Sequence, residues 1–423
     1  MFTPQENSTK KTRWLSRNVW AVSLTSFFMD ISSEMVFNLL PLYLSNVLGV
    51  RTNVIGFIEG LAEATASLLK LISGWISDKI GQRKWLAVAG YGLSALVKPL
   101  FYFADSWMVV AGARWADRVG KGIRTAPRDA LVADSSDAHN RGLAFGFHRA
   151  ADTAGAMLGL LITWWVVREF QADSGTLQLD TFQALVLVSL VPAILAVITL
   201  ALGARDVPVS GIKNFPHLAL KSLGKPFFAF MVIVGIFELG NSSDAFLILR
   251  AQERGLSISG ILSMLVAFNL VYALISTPAG RLSDRIGRRR LIAGGWLIFA
   301  GVYLGFGLAR TAWQIWTLYV IYGLYYALSY GTSKALIADL VPEELRGTAF
   351  GSYNAIIGIM DFPASLIAGI LWQGAGAWVG FGAVAPFLFS SALAALAVLL
   401  LNLWLPTVKL QAGVHPTSVQ SGN

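Results

Sequence analysis

The sequence predicts an all-α membrane protein of about twelve spans, and three observations carry that reading. Of 423 residues, 55% are hydrophobic and 13% are charged, about half the charged share of a soluble domain. Mean hydropathy is +0.61. Apolar runs of about 20 residues, each long enough to cross ~30 Å of hydrocarbon, recur from Trp14 to Leu405. The runs are continuous and do not alternate, which excludes a β-barrel, the other architecture that satisfies its backbone in lipid. A soluble enzyme, a disulfide scaffold and a disordered chain are excluded with it.

The spans follow in order at 17–47, 53–77, 84–103, 107–132, 142–167 and 181–203, then 226–250, 257–279, 290–309, 311–336, 347–372 and 379–405. The first and fourth are long enough to tilt or project. This divides the chain into a polar tail (1–16), a six-helix bundle (17–203), a linker (204–225), a second bundle (226–405) and a polar tail (406–423). No cleavable signal is visible, because the first apolar run is too long for an h-region. The first helix is expected to act as its own insertion signal.

The net charge of +9 and pI near 9.7 would suggest nucleic acid in a soluble protein; here they report topology. Nineteen lysines and arginines, Lys79, Arg83, Lys84, Arg205, Arg288 and Arg289 among them, fall in tails and loops on one side. The other side has only Arg51, Arg168, Arg250, Arg254 and Arg310. The expectation is a multi-pass inner-membrane protein with both termini and the linker in the cytoplasm, a lipid bilayer as its surroundings and no nucleic-acid partner. Cysteine is absent and the four histidines are scattered, so no metal site is expected.

The chain repeats itself. GWISDKIGQRK at 74–84 returns as GRLSDRIGRRR at 280–290, an offset of 206, while DALVAD at 129–134 and RGLAFG at 141–146 return as KALIAD and RGTAFG, both offset by 205. A weaker echo pairs SSE at 32–34 with SSD at 242–244. Six spans per copy keep both copies in one orientation, related by an axis along the membrane normal.

With Gly74, Asp78, Gly81, Arg83 and Lys84 after the second span, repeated as Gly280, Asp284, Gly287, Arg288 and Arg289 after the eighth, the chain resembles the major facilitator superfamily over nearly its whole length. Within it, the likeness is to the proton-coupled drug and metabolite antiporters. The resemblance implies two six-helix bundles around a central cavity, alternating access by rocking, and a monomer. The ten motif residues are expected to form a cytoplasmic gate. Their glycines allow tight turns and close helix approach, and their charges can bind helix ends or partners that differ between access states.

Ionisable residues at membrane depth are functional candidates by default. The first span carries Asp30 and Glu34 one turn apart. The second carries Glu59, Glu63 and Lys70 along one stripe, and the third carries Lys98. The fourth, RWADRVGKGIRTAPRDA, places Arg114, Arg118 and Lys121 on one stripe with Asp117 on its flank. Either Arg114 or Arg118 is the counterpart of the arginine that the family's fourth helix associates with proton transfer; Arg118 stands where the family favours glycine. Leaving Arg124, Arg128 and Asp129 as interfacial, these spans hold five acids and five bases, read as a mutually compensated network. A static salt-bridge lattice is the plainer alternative, although unneeded buried ion pairs rarely beat apolar packing.

The second half is quieter. Its candidates are Glu238, Asn241 and Asp244 on the seventh span, Asn269 on the eighth, Lys334 and the tyrosines 322, 325, 326 and 330 on the tenth, and Asn354 and Asp361 on the eleventh. Gly155 and Gly159 fit the spacing of a family antiporter motif, with Leu160 where proline would be expected; the pattern is equally a packing device.

These residues point to a proton-coupled secondary transporter exporting a small organic molecule by antiport. It would be driven by the proton gradient without any cofactor, since no phosphate-binding loop is present. Proton coupling is expected from Glu63 and Glu59, then Asp30, Glu34 and Asp117. The substrate cavity is expected to use Lys70, Lys98, Arg114, Arg118, Lys121, Glu238, Asn241, Asp244, Asn269 and Tyr326. A symporter or exchanger of an anionic metabolite, phosphate ester or metal chelate is the alternative, favoured by the cationic stripe. A receptor-like or assembly protein that moves nothing would not need so many intramembrane carboxylates. An enzyme is not expected, because no nucleophile–base or metal constellation is present.

Overall fold

The computed structural model describes residues 15–136, 141–171, 175–207, 223–342 and 345–405. Both tails beyond these limits and most of the expected linker, 208–222, lie outside the described residues.

Twelve spanning segments follow one another. They are α1 (Arg17–Phe37), α2 (Thr52–Ile80), α3 (Lys84–Tyr102), α4 (Trp107–Asp134), α5 (Arg141–Gln171), α6 (Leu179–Gly203), α7a (Lys225–Gly240) with α7b (Ala245–Glu253), α8 (Ile258–Ile286), α9 (Arg288–Leu308), α10 (Ala312–Leu340), α11 (Arg346–Gln373) and α12 (Ala385–Trp404). No β-strand is present among the described residues beyond one isolated bridge, Ala375–Trp378. Helix starts carry the expected signals: the Ser16 hydroxyl accepts from the Val19 amide, and Thr311 with Gln314 closes a capping box on α10.

Two expected spans are broken. The first stops at Phe37 and resumes as a turn, Leu40–Leu42, running into a π-helical turn, Tyr43–Val47. The seventh opens at Asn241–Ser243 and resumes as α7b. By contrast, Pro127 does not end α4, which stays helical to Asp134.

Seven helices, α5 to α9, α11 and α12, are long and apolar enough to cross a membrane by length and composition. Those that fall short are α1 to α4, which carry the intramembrane charges, and the tyrosine-rich α10. Of these, α1, α2, α4 and α10 line the cavity between the bundles.

The six helices of each half pack into a bundle, and the bundles meet chiefly along α2 against α11 and α5 against α8. The first seam is close. A Cβ on Gly60 would lie 3.0 Å from Ser365 Cβ and 3.1 Å from the Phe362 carbonyl oxygen, and one on Gly358 would overlap Ser67. This is small-residue packing of the kind that brings membrane helices together.

The repeated motifs occupy one end of the molecule, here the motif end. Gly81 and Gly287 close α2 and α8 with φ of 69° and 94°, conformations that favour glycine. Arg83 pairs with Asp134, and in the second copy Arg288, one residue before Arg83's counterpart Arg289, pairs with Asp339 at 2.9 Å. In each bundle an arginine of the first repeated block thus pairs with the closing aspartate of the second. Arg289 donates to the Asn402 carbonyl at 2.8 Å, and the amides of Arg83 and Lys84 both donate to Asp206. The Lys84 ammonium lies 4.7 Å from the Trp85 ring.

Of the residues expected to form a cytoplasmic gate, Arg83 pairs with Asp134, Arg288 with Asp339, and Arg289 donates to Asn402, each a contact within one bundle in this conformation. Asp284 is largely exposed, 4.0 Å from Arg288. Gly74 faces Ala126 of α4, whereas Gly280 faces open space. The side chain of Asp78 lies outside the described residues.

At the opposite end the bundles are tied directly. Arg51 and Asn53 donate to the carbonyls of Gln373 and Gly374 at 2.8 and 2.9 Å, and Gln252 donates to the Gly175 carbonyl at 2.8 Å. Leu40–Leu42 also packs on α7b. Arg250, expected in a loop there, is fully buried. Its guanidinium donates to the carbonyls of Phe306 and Gly307 at 3.1 and 2.9 Å and to Glu253 at 2.7 Å, capping the end of α9 where a cation is favoured.

Candidate functional site

Between the bundles lies a cavity of about 350 Å³, shut at the end opposite the motifs by the ties just described. From the first bundle its lining includes Asp30, Glu34, Glu59, Glu63, Arg114, Arg118, Lys121 and Arg124. The second contributes Asn241, Ser242, Ser243, Asp244, Tyr326, Asp361 and Ser365. Ionisable groups thus converge from α1, α2, α4, α7 and α11.

Local sequence explains how they arrive there. On α5, a Cβ at Gly159 would lie 2.6 Å from the Ile31 carbonyl oxygen and 3.1 Å from Glu34 Cβ, so a larger residue would push the acidic turn of α1 away. Gly120 of α4 meets Gly90 of α3 at similar range. Breaking the seventh span at Asn241–Ser243 turns a stretch of backbone, with Asp244, toward the cavity, a place where non-helical backbone is tolerated at membrane depth.

The charges do not form one compensated lattice. Arg114 Nη2 lies 2.6 Å from Glu59 Oε2 and 3.6 Å from Glu63 Oε1, while Arg118 Nε lies 3.2 Å from Glu63 Oε1. Asp117 touches only the edge of this group, 3.9 Å from Arg118. Asp30, Glu34, Lys70, Lys98 and Lys121 make no ion pair within 4.0 Å among the described residues. Glu34 instead accepts a hydrogen bond of 2.5 Å from Asn38. The Phe37 ring gathers three cations, with Arg114, Lys98 and Arg118 at 4.4, 4.9 and 5.1 Å from its centroid. Cation–π attraction spreads their charge over an apolar face.

Of the expected substrate-cavity residues, Arg114, Arg118, Lys121, Asn241, Asp244 and Tyr326 line this cavity. Lys98 and Asp117 are buried behind it, and Lys70 does not line it. Asn269 donates to the Leu265 carbonyl of its own helix at 2.9 Å. Glu238 faces an adjoining pocket and accepts from Asn241 at 2.9 Å. Asp244 accepts from Tyr322 at 3.1 Å; Tyr322 itself belongs to an aromatic core with Phe268, Phe299 and Tyr303.

Sequence reasoning missed others. Arg124, set aside as interfacial, is buried and lines the cavity, donating to Ser94 at 2.5 Å with its guanidinium 4.5 Å from the Tyr91 ring centroid. His148 is buried 3.7 Å from Asp152 on α5. The i, i+4 spacing of that pair was the signal available.

A family model for the major facilitator superfamily matches residues 22–251 and 228–419. An uncharacterised MFS-type transporter of Methanocaldococcus jannaschii is 35% identical over 405 residues, spanning 94% of this chain and 97% of that protein. A class E tetracycline resistance protein of Escherichia coli is 33% identical over 139 residues, about a third of each chain. Among solved structures, a bacterial homologue of the human lysosomal transporter Spinster, in an inward-facing and occupied conformation, superposes with a TM-score of 0.73. The pair share 16% identity over 91% of this chain and 95% of that one. The family model and the 35% identical relative span nearly the whole chain, and the described residues form two like helical bundles around a polar cavity; the chain belongs to the major facilitator superfamily of membrane transporters.

Proposed function

We propose that the chain is a proton-coupled antiporter that exports a small organic molecule across the cytoplasmic membrane, with the motif end and both termini in the cytoplasm. The observation that carries this reading is the set of cavity carboxylates with no cation within 4.0 Å among the described residues: Asp30, Glu34, Asp244 and Asp361. Carboxylates in a confined site between two bundles are suited to taking up and releasing protons. Glu59 and Glu63, first in the sequence-based order, are held by Arg114 and Arg118. We therefore assign proton exchange to Asp30 and Glu34 and give Glu59 and Glu63 the task of fixing the arginines. The partial likeness to a tetracycline resistance protein supports export. One chain encloses the whole cavity, so a monomer suffices.

Exchange follows from linkage. Substrate and proton each favour one arrangement of the bundles, and each shifts the equilibrium only by its differential affinity for the two. The motif-end ion pairs Arg83–Asp134 and Arg288–Asp339 keep each bundle rigid while it rocks. Lys121, which faces the cavity with no ion pair within 4.0 Å among the described residues, favours the second reading, uptake or exchange of an anion.

The test is a flux assay in proteoliposomes holding a pH-sensitive dye. A transported compound added outside is expected to make the lumen more alkaline, as protons leave in exchange. Acidification of the lumen would instead mean symport, and counterflow of a compound without proton movement would overturn the proton-coupled reading.

A further inference from the structure

A second pocket of about 190 Å³ opens beside the main cavity, within the second bundle and sharing Asn241, Tyr326 and Asp361 with it. Its walls are aromatic: Trp296, Tyr325, Tyr326, Tyr330 and Tyr353, with two carboxylates among them, Glu238 and Asp361. Trp296 is fixed by stacking on Phe237 at 4.4 Å. Glu238 is 8% exposed, and Asn241 occupies only one of its oxygens. The Ser329 hydroxyl, on a residue 4% exposed, has no hydrogen-bond partner among the described residues. No Lys, Arg or His lines the pocket among the described residues. The nearest cations lie outside it. Lys334 sits 4.6 Å from the Tyr330 ring centroid, and Lys70 and Lys121 of the first bundle act on Asp361 only through space.

We propose that this pocket binds the positively charged group of the transported compound, which is an organic cation with an ammonium-type head. The inference deepens the transport reading and rests on it. Ring faces carry negative potential and attract cations, quaternary ammonium groups above all. Two carboxylates without a lysine or arginine beside them complete that potential, and in a water-poor pocket they act with little screening. An anion entering the pocket would meet repulsion from Glu238 and Asp361 and from the ring faces. The rest of the compound would extend into the main cavity, whose volume lies in the range of small-molecule sites.

The test uses the full-length protein in detergent, with benzyltrimethylammonium as the cationic probe and phenylphosphonate as the anionic one, binding being read by equilibrium dialysis. Saturable benzyltrimethylammonium binding is expected, and Glu238→Gln and Asp361→Asn should each weaken it by at least about tenfold. Tyr325→Leu should weaken it while leaving both carboxylates in place. An unshifted gel-filtration profile and thermal transition establish that each variant is folded; if one carboxylate variant misfolds, the other decides. Absence of saturable benzyltrimethylammonium binding, binding unchanged in the folded variants, or preference for phenylphosphonate would each overturn the proposal. Proton-coupled movement of phenylphosphonate in vesicles would remove this inference and leave coupled transport standing. Pocket-dependent cation binding without proton flux would do the reverse.

Discussion

Glu59 and Arg114 are the most deeply paired charges at the cavity, 2.6 Å apart with both side chains 5% exposed, and removing either has a calculable and unequal consequence. Breaking a buried pair by deleting one partner costs about 3–5 kcal/mol, because the other charge is left uncompensated. If Glu59 becomes Gln, Arg114 still has Glu63 at 3.6 Å and the Phe37 ring at 4.4 Å, so the loss should sit near ~3 kcal/mol. If Arg114 becomes Met, Glu59 is left with no cation within 4.0 Å among the described residues. Glu63 also keeps only Arg118, so the loss should approach ~5 kcal/mol. The double variant should cost less than the two losses added, by a coupling of about 1–3 kcal/mol. Chemical unfolding of the four proteins in one detergent measures all three quantities. Equal losses for the single variants, or strict additivity in the double, would refute the assignment of Arg114 as the hub of this group.

Further outcomes follow from the same geometry. Arg250→Met leaves the Phe306 and Gly307 carbonyls without their donor and should destabilise the second bundle by about 2–3 kcal/mol in the same unfolding assay, with Arg250→Lys recovering part of it. Gly90→Ala places a methyl 2.6 Å from the Gly120 carbonyl oxygen; a loss of about 1–3 kcal/mol is expected. Gly81→Ala, at a φ of 69°, should cost about 1–2 kcal/mol of unfolding free energy. Arg288→Gln breaks a pair internal to the second bundle, so it should lower that bundle's resistance to proteolysis at the motif end while leaving substrate binding intact.

Much of the architecture was legible because membrane helices declare themselves in continuous apolar runs, and because the repeat is strong. What the repeat meant became clear only from the pairing of Arg83 with Asp134 and Arg288 with Asp339. Alignment of the two halves shows that both blocks recur, but it sets Arg83 against Arg289 and does not show that Arg288 takes up the pairing. The break at Asn241–Ser243 was not read, since the flanking segments are apolar enough to join into one run. Arg250 was placed in a loop for the same reason: a span counted at its usual length ended there, whereas the helix continues and the guanidinium turns inward to the end of α9. Depth along a helix can be counted, but the direction a stripe faces depends on its neighbours. Lys98 and Asp117 therefore proved to lie behind the cavity, while Arg124 reached it. The adjoining aromatic pocket was the least legible part. Trp296, Tyr325 and Tyr353 come from three helices, and no spacing within one segment signals their meeting.

The central claim is that protons move through the cavity by way of carboxylates without a cationic partner. It is tested most directly by comparing proton flux with substrate counterflow in proteoliposomes of the wild type and of Asp30→Asn combined with Glu34→Gln. The account predicts that the variant keeps counterflow, which needs only substrate, and loses compound-evoked proton movement. Proton movement undiminished in the variant would contradict it.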